Sequence, residues 1–523
     1  MTVWFNRRIL GYGIYIVMLS VICSYDQACG DANHGLDVVR GLNVVIAVEG
    51  SGRMREVDPR MLFAPAAKMF ITLLGKNDRV GVIRFADKTE SLSDLTAVGN
   101  NSDRETLFKT IDKISWPESS KQPGKQPSKQ LGKEQGKEQA DKANVTEAID
   151  SAIKMLTKGD NKGAKSPLTA AGTVGTIILL YDAKSDIEEA LGKDRVIEKT
   201  LKDNGIKVFA IAIGDKAEKE PAKSSGAFYK ATGGFFYPVR QASGIYMRFA
   251  SIFENLTSPM MIPIEKPKIK IDESIRAIAF VIKKNSPTKQ LSLDDPEGMK
   301  YLPDKKIEGV DWLLSDTLDV IKIKDPMPGT WSLNLGYGRE NMAYIWTGLR
   351  LEVNMEDLYQ DTGKPLLLEA WFKLDDLALN LEQMLSDITV KAEVLGPDGI
   401  KTSLSLDSRM AVKGSRVLYV NQFIPMKDGN YKIEITAAGN GFERRRVLTI
   451  AAEKHEQPKA EPPTEKMQKY DRTLDKFVFM RTTKKRDMTF TRAVAYFIII
   501  NIVSLAGIVG YAKRMKLKRQ VGT

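Results

Sequence analysis

The chain has 523 residues, 43% hydrophobic and 28% charged, with 78 Lys+Arg against 66 Asp+Glu and a formal charge of +12. That length calls for about three domains, and the composition excludes both a wholly disordered chain and a polytopic membrane protein. Residues 453–523 carry 16 Lys+Arg and 7 Asp+Glu, and residues 117–143 carry 6 and 4, so the remainder is close to neutral. No basic face spread over a domain is left for a nucleic acid, and none is expected as a partner.

At the start, Arg7 and Arg8 precede an uncharged run from Ile9 to Ile22, with small and polar residues around Ser24. This layout predicts a secretory signal over residues 1–24, with an uncleaved anchoring helix as the alternative. Either sends residue 30 onward out of the cytoplasm. Cys23 and Cys29 are the only cysteines, so the chain beyond them holds no disulfide and no thiolate metal site.

From residue 42 the pattern is that of a buried parallel sheet. Leu42 to Val48, Val80 to Phe85, Thr176 to Tyr181 and Val208 to Ile213 are short apolar runs. Helical segments are expected between them at Pro59 to Leu74, Arg104 to Ile114, Asn144 to Leu156 and Val196 to Asn204. Asn144 and Glu147 have the spacing of a capping pair. Alternating strands and helices predict a doubly wound α/β fold with its ligand face at the carboxyl ends of the strands.

The loop after the first strand reads Val48-Glu49-Gly50-Ser51-Gly52-Arg53-Met54, and GVIRF, NVTEAIDSAIKML, TIILLYDAKSD, GIKVFAIAIGD and ATGGFFYPV follow in order. Residues 40–257 thereby resemble a von Willebrand factor A domain. The resemblance implies a Rossmann-like fold and a strand-end cation site that binds a ligand carboxylate. The family's D-x-S-x-S loop, a Thr and a later Asp fall here on Glu49, Ser51, Arg53, Ala143 and Asp182. Metal ligation would therefore rest on Glu49, Ser51 and Asp182, while Arg53 and Ala143 on the ligand face offer no ligand oxygen. The expectation is a degenerate site in which the Arg53 guanidinium sits between Glu49 and Asp182 in place of the ion. No cofactor is then needed, and weak Mg²⁺ or Ca²⁺ binding is the alternative.

Within this stretch, residues 117–143 include five tetrapeptides beginning at Lys121, Lys125, Lys129, Lys133 and Lys137. A low-complexity Lys/Gln/Gly sequence of this kind cannot bury a core and reads as a solvated loop.

Past residue 263 the pattern shifts to strands and turns. Two blocks, 263–352 and 353–452, each have the length of an antiparallel sandwich, the second Ig-like, with Trp331 and Tyr431 read as core aromatics. Residues 453–491 read as a stalk. Ala493 to Ala512 then form 20 uncharged residues with Tyr496 and Tyr511 near the ends, as a single transmembrane helix requires. Residues 513–523 would be a basic cytoplasmic tail.

The only histidines are His34 and His455, and no P-loop, nucleophile elbow or Ser-His-Asp set can be assembled. An enzyme with a small-molecule substrate is not expected. The reading is a multi-domain, single-pass membrane protein, its bulk in the periplasm or outside the cell, that binds another protein in adhesion or as an envelope-complex subunit. Two alternatives stay open. One is a metal-dependent (Mg/Ca) receptor, the other an assembly factor working with an AAA+ ATPase.

Overall fold

The structure is a computed structural model. It describes residues 41–117, 143–158, 173–185, 187, 190–191, 194–219, 223–264, 267–288, 291–334, 340–354, 358–374, 387–410 and 417–454. The expectations for the 1–24 signal, for 118–142 of the repeat loop, for the stalk beyond Lys454, for the 493–512 helix and for the 513–523 tail lie outside these residues. Among the described residues no helix is long and apolar enough to cross a membrane.

The first region comprises β1 (Leu42–Glu49), α1 (Gly52–Val57), α2 (Phe63–Leu73), β2 (Arg79–Phe85), β3 (Thr89–Ala97), α3 (Asn101–Asp112), α4 (Val145–Thr157) and β4 (Val174–Asp182). It continues with α5 (Arg195–Asp203), β5 (Lys207–Ile213), α6 (Asp215–Lys219), α7 (Lys223–Ala231), β6 (Phe235–Val239) and α8 (Ile245–Thr257). Its six-stranded sheet has the order β3-β2-β1-β4-β5-β6. Five strands are parallel and β3 is antiparallel to β2. This is the doubly wound α/β arrangement expected from the apolar runs. Asn144 caps α4, its side chain accepting from the Glu147 N–H. The strand β3 was not expected, because TESLSDLTA carries no apolar run; it lies at the sheet edge, with Leu92 against one core and Leu95 against the other.

Alternation along β1 assigns its two faces. Val44, Ile46 and Val48 face one core with α2 and α8, whereas Val45 and Ala47 face the other with α4. The first of these cores continues beyond the α/β region, taking in Ala279, Val281, Val320, Tyr344 and Val447 from the antiparallel part of the chain. Helices α2 and α8 are thus covered on both sides, by the parallel sheet and by an antiparallel one. Strand Ile275–Lys283 reads as a near-continuous apolar run for the same reason. Its Ala279 and Val281 meet the helices, while Ile278, Phe280 and Ile282 enter a second core.

Most strands of 263–352 and 353–452 join one sheet of 13, of which 12 follow one antiparallel path while Tyr359–Asp361 pairs parallel to Phe442–Glu453 off it, and a separate sheet of four faces part of it. Strand Lys401–Met410 turns the corner. Its first half, to Leu406, pairs with Thr389–Leu395, and from Asp407 it pairs with Val417–Phe423. Trp331 and Tyr431 are both buried in the shared core, as their surroundings in sequence suggested. The Trp331 indole N–H donates to the Met327 carbonyl at 2.8 Å.

Candidate functional site

The strand-end face is built from the last residues of two adjacent parallel strands. β1 ends on Glu49 and β4 on Asp182, and a short turn after each brings hydroxyls back over the ends. Ser51 caps α1 and accepts from the Arg53 N–H at 3.2 Å. Its own hydroxyl donates to Glu49 Oε1 at 2.6 Å. Between them Gly50 lies under the Arg84 side chain, where a Cβ would come within 2.3 Å of Arg84 Nε, so a larger residue would displace that cover.

Glu49 is fully buried, and both oxygens of its carboxylate are engaged. Besides Ser51, it accepts from the Asp182 backbone N–H at 2.9 Å and from the Ser185 hydroxyl at 3.0 and 3.1 Å. Burial pushes its pKa up, the Ser51, Asp182 N–H and Ser185 hydrogen bonds pull it back in part, and the Asp182 charge adds to the rise. Asp182 is also buried. Its Oδ1 accepts from the Lys184 N–H at 3.1 Å, whereas Oδ2 has no hydrogen-bond partner. Burial raises its pKa as well, against the Lys184 N–H and the charges of Lys184 and Arg53.

Arg53 does not sit between the two carboxylates. Its guanidinium reaches outward to the Lys184 carbonyl at 3.5 Å, which corrects the expectation that it replaces the ion. The cause is local: α1 starts at Gly52, directly after the Ser51 cap, and Ser51 and Ser185 already fill the space over Glu49. Ala143 is half-buried against the α4 side of the sheet. The next residue, Asn144, donates its N–H to Ala86 O just past the end of β2. Ala143 is therefore on the same edge as Glu49, with only a methyl to offer. Ser185 is the site residue that the sequence reading missed. Its position three residues after Asp182 was the available signal, but only the fold of the turn sends the hydroxyl back to Glu49.

A hard divalent cation takes about six oxygen ligands in near-octahedral geometry. Of the carboxylate oxygens of Glu49 and Asp182, only Asp182 Oδ2 is unengaged, and the Ser51 oxygen already both donates and accepts. The residues as arranged do not fit such an ion. No group of three or more His, Cys, Asp or Glu among the described residues is placed to hold a metal. The rim is instead charged, with Lys184 paired to Glu56 at 3.8 Å and Arg240 to Asp215 at 3.3 Å.

No protein-family model matches the chain, and no curated protein matches it. Among solved structures it is similar to a von Willebrand factor type A protein from Catenulispora acidiphila, with 11% identity over 65% of this chain and 63% of that one and a TM-score of 0.30. It is also similar to the conserved hypothetical protein BatB from Bacteroides thetaiotaomicron, with 18% identity over 40% and 98% of the two chains and a TM-score of 0.26. A third is the ArnB paralog VWA2 from Sulfolobus acidocaldarius, with 11% identity over 79% and 67% and a TM-score of 0.25. The chain thus spans less than two thirds of the first of these. At such TM-scores the similarities carry no argument about activity, and the α/β fold rests on the strand order and pairing described above.

Proposed function

We propose that the chain is a membrane-anchored, extracytoplasmic von Willebrand factor A-like protein that binds another protein through the carboxyl-end face of its parallel sheet, without a resident cation. The observation that carries this reading is the Glu49 carboxylate, both oxygens of which already accept from the Ser51 and Ser185 hydroxyls and the Asp182 N–H where an ion would need them. Its partner-binding surface is then the charged rim of Arg53, Lys184 and Glu56 rather than a metal. Binding, in adhesion or within an envelope complex, is favoured over catalysis because these acids serve as hydrogen-bond acceptors for their own turns. The exported topology and the single C-terminal anchor are supported by the basic-then-apolar start and by the 20-residue run at 493–512.

The test is a melting experiment on the full chain. Adding millimolar Mg²⁺ or Mn²⁺ is expected to leave the Tm unchanged, both in wild type and in Asp182→Ala. A rise in wild type that Asp182→Ala abolishes would establish the metal-dependent receptor instead. Arg53→Ser is expected to change stability by no more than about 0.5 kcal/mol, since the lost contact is exposed and long. The charge reversal Arg53→Glu should nevertheless lower capture of a partner on full-length bait at least severalfold. Unchanged capture would move the binding surface elsewhere, and an AAA+ ATPase in the captured set would favour the assembly-factor reading.

A further inference from the structure

One end of the antiparallel region gathers turns whose apolar side chains nothing in the described chain covers. Strand Phe442–Glu453 pairs with Gly429–Gly439 so that Ala452 lies opposite Gly429. Thr389–Leu395 places Leu395 opposite Lys432 on one side and opposite Lys401 across its hairpin on the other. Leu366–Leu374 begins opposite Phe423. These registers bring three turns, 361–365, 396–400 and 424–428, to the end where the described chain leaves at Glu453.

The end is a firm platform. Gly363 N–H donates to Pro425 O at 2.8 Å and Thr362 N–H to Glu453 O at 2.9 Å. The Thr362 hydroxyl bonds Asp428 at 2.6 Å, and the Tyr431 hydroxyl bridges both backbone groups of Lys427. From it project Ile400, 62% exposed, and Met426, 74% exposed, with Ile424 and Leu395 beside them. The nearby lysines are paired, Lys427 with Asp398 at 2.8 Å, Lys364 with Asp361 at 2.5 Å, and Lys401 with Glu393. The tip is apolar and close to neutral, with lysine stems around its rim.

Scattered exposed apolar residues are ordinary; the place of these ones is not. The strand that ends at Glu453 leaves the platform among them, and 39 residues separate it from the uncharged run that begins at Ala493. A tether of that length reaches at most about 140 Å, which holds the platform at a high local concentration over whatever surface the run enters. Separate points from two turns and a strand end suit insertion between lipids better than the contiguous area that a protein interface requires. Paired lysines at the rim can lay their stems along the same boundary.

We propose that this end of the antiparallel region docks on the bilayer surface, with Ile400 and Met426 inserted at headgroup depth as a second membrane contact beside the anchor. This inference rests on the anchored reading above, and the experiment separates the two. The full chain, with Cys23 and Cys29 replaced by Ser, is reconstituted into phosphatidylcholine–phosphatidylglycerol vesicles. A polarity-sensitive fluorophore is attached through Ile400→Cys, Met426→Cys or, as a control, Val196→Cys on α5, a position that is 77% exposed.

Labels at 400 and 426 are expected to be quenched by nitroxide-bearing lipid at least threefold more than the label at 196, and shielded from aqueous iodide. Met426→Glu in the Ile400→Cys chain should at least halve the nitroxide quenching; unchanged quenching overturns joint insertion. Iodide access equal to that at 196 overturns the proposal. Shielding from iodide without nitroxide quenching also overturns it, and identifies a protein cover such as a second copy of the chain. If the chain does not float with the vesicles, the anchored reading fails and the docking with it. If it floats while the tip labels stay aqueous, only the docking fails.

Discussion

Replacing Arg444 by Met is expected to lower the free energy of unfolding by about 3–5 kcal/mol, the usual loss when one partner of a buried ion pair is removed. Arg444 is fully buried. Its two terminal nitrogens reach Asp272 Oδ2 at 2.7 Å and Oδ1 at 2.9 Å, a bidentate pair. It also donates to the Ser274 hydroxyl at 2.6 Å, the Thr347 hydroxyl at 3.2 Å, and the Leu349 and Glu443 carbonyls at 3.0 and 2.9 Å. Methionine would fill much of the volume and leave the Asp272 carboxylate uncompensated.

Burial pushes the Asp272 pKa up, but the Arg444 hydrogen bonds and charge, with the Ser274 bonds, outweigh it and hold the carboxyl below the usual range. A depressed folded pKa gives stability that is present above the unfolded value of about 3.9 and is lost as the pH falls through the folded one. The Met variant should therefore show a weaker acid limb as well as a lower midpoint in urea. Arg444→Met combined with Asp272→Leu is expected to recover most of the loss, because both desolvated charges then disappear together. A single-variant loss below about 1 kcal/mol would show that the network contributes little. Since Asp272 and Thr347 belong to the 263–352 block and Arg444 to the 353–452 block, the variant should also broaden or split the unfolding transition.

The second large effect is expected from Glu254→Gln at neutral to alkaline pH. Glu254 is on α8 but faces the antiparallel sheet, where it accepts from the Tyr344 hydroxyl at 2.8 Å. Burial raises its pKa to about 7, against the Lys432 charge and the Tyr344 bond and with the Glu434 charge. The Tyr237 hydroxyl, which accepts from the Asn255 side chain at 2.6 Å, and Arg248 complete the charged and titratable surroundings.

A carboxyl whose folded pKa is above the unfolded one binds its proton more tightly in the native state. Its contribution is thus full below about pH 4.5, declines as the pH rises towards 7 and is flat above. At 1.36 kcal/mol per pKa unit, the decline amounts to about 3 kcal/mol. Glutamine keeps the acceptor for Tyr344 and removes the charge. It should match wild type near pH 5 and exceed it by up to about 3 kcal/mol at pH 8, read as urea midpoints at several pH values. Parallel pH profiles for the two proteins would refute the assignment.

Both effects depend on contacts that no local pattern announces. In IYMRFASIFENLT, Glu254 reads as part of the polar side of an amphipathic helix, because one apolar face suffices for packing on the parallel sheet. It is buried because the antiparallel sheet, with Tyr344 some 90 residues on and Lys432 and Glu434 farther still, covers the other side of α8. Arg444 lies in the run Arg444-Arg445-Arg446, which looks solvated until Asp272, Ser274 and Thr347 come to meet it. Arg53 misled for a related reason. Chemical complementarity to Glu49 and Asp182 was correct, yet the two serine hydroxyls reach Glu49 over shorter, stiffer paths.

Short-range physics sets part of this molecule directly. Continuous apolar runs had to be strands covered on both faces, Asn144 had to cap the helix that follows it, and Glu49 and Asp182 had to lie at carboxyl ends because each terminates such a run. Long-range packing set which hydroxyls reach Glu49, that α2 and α8 lie between two sheets, and that three distant turns share one end with Glu453. Those outcomes depend on strand pairing across tens to hundreds of residues. Register there is set by the whole buried face rather than by any local signal.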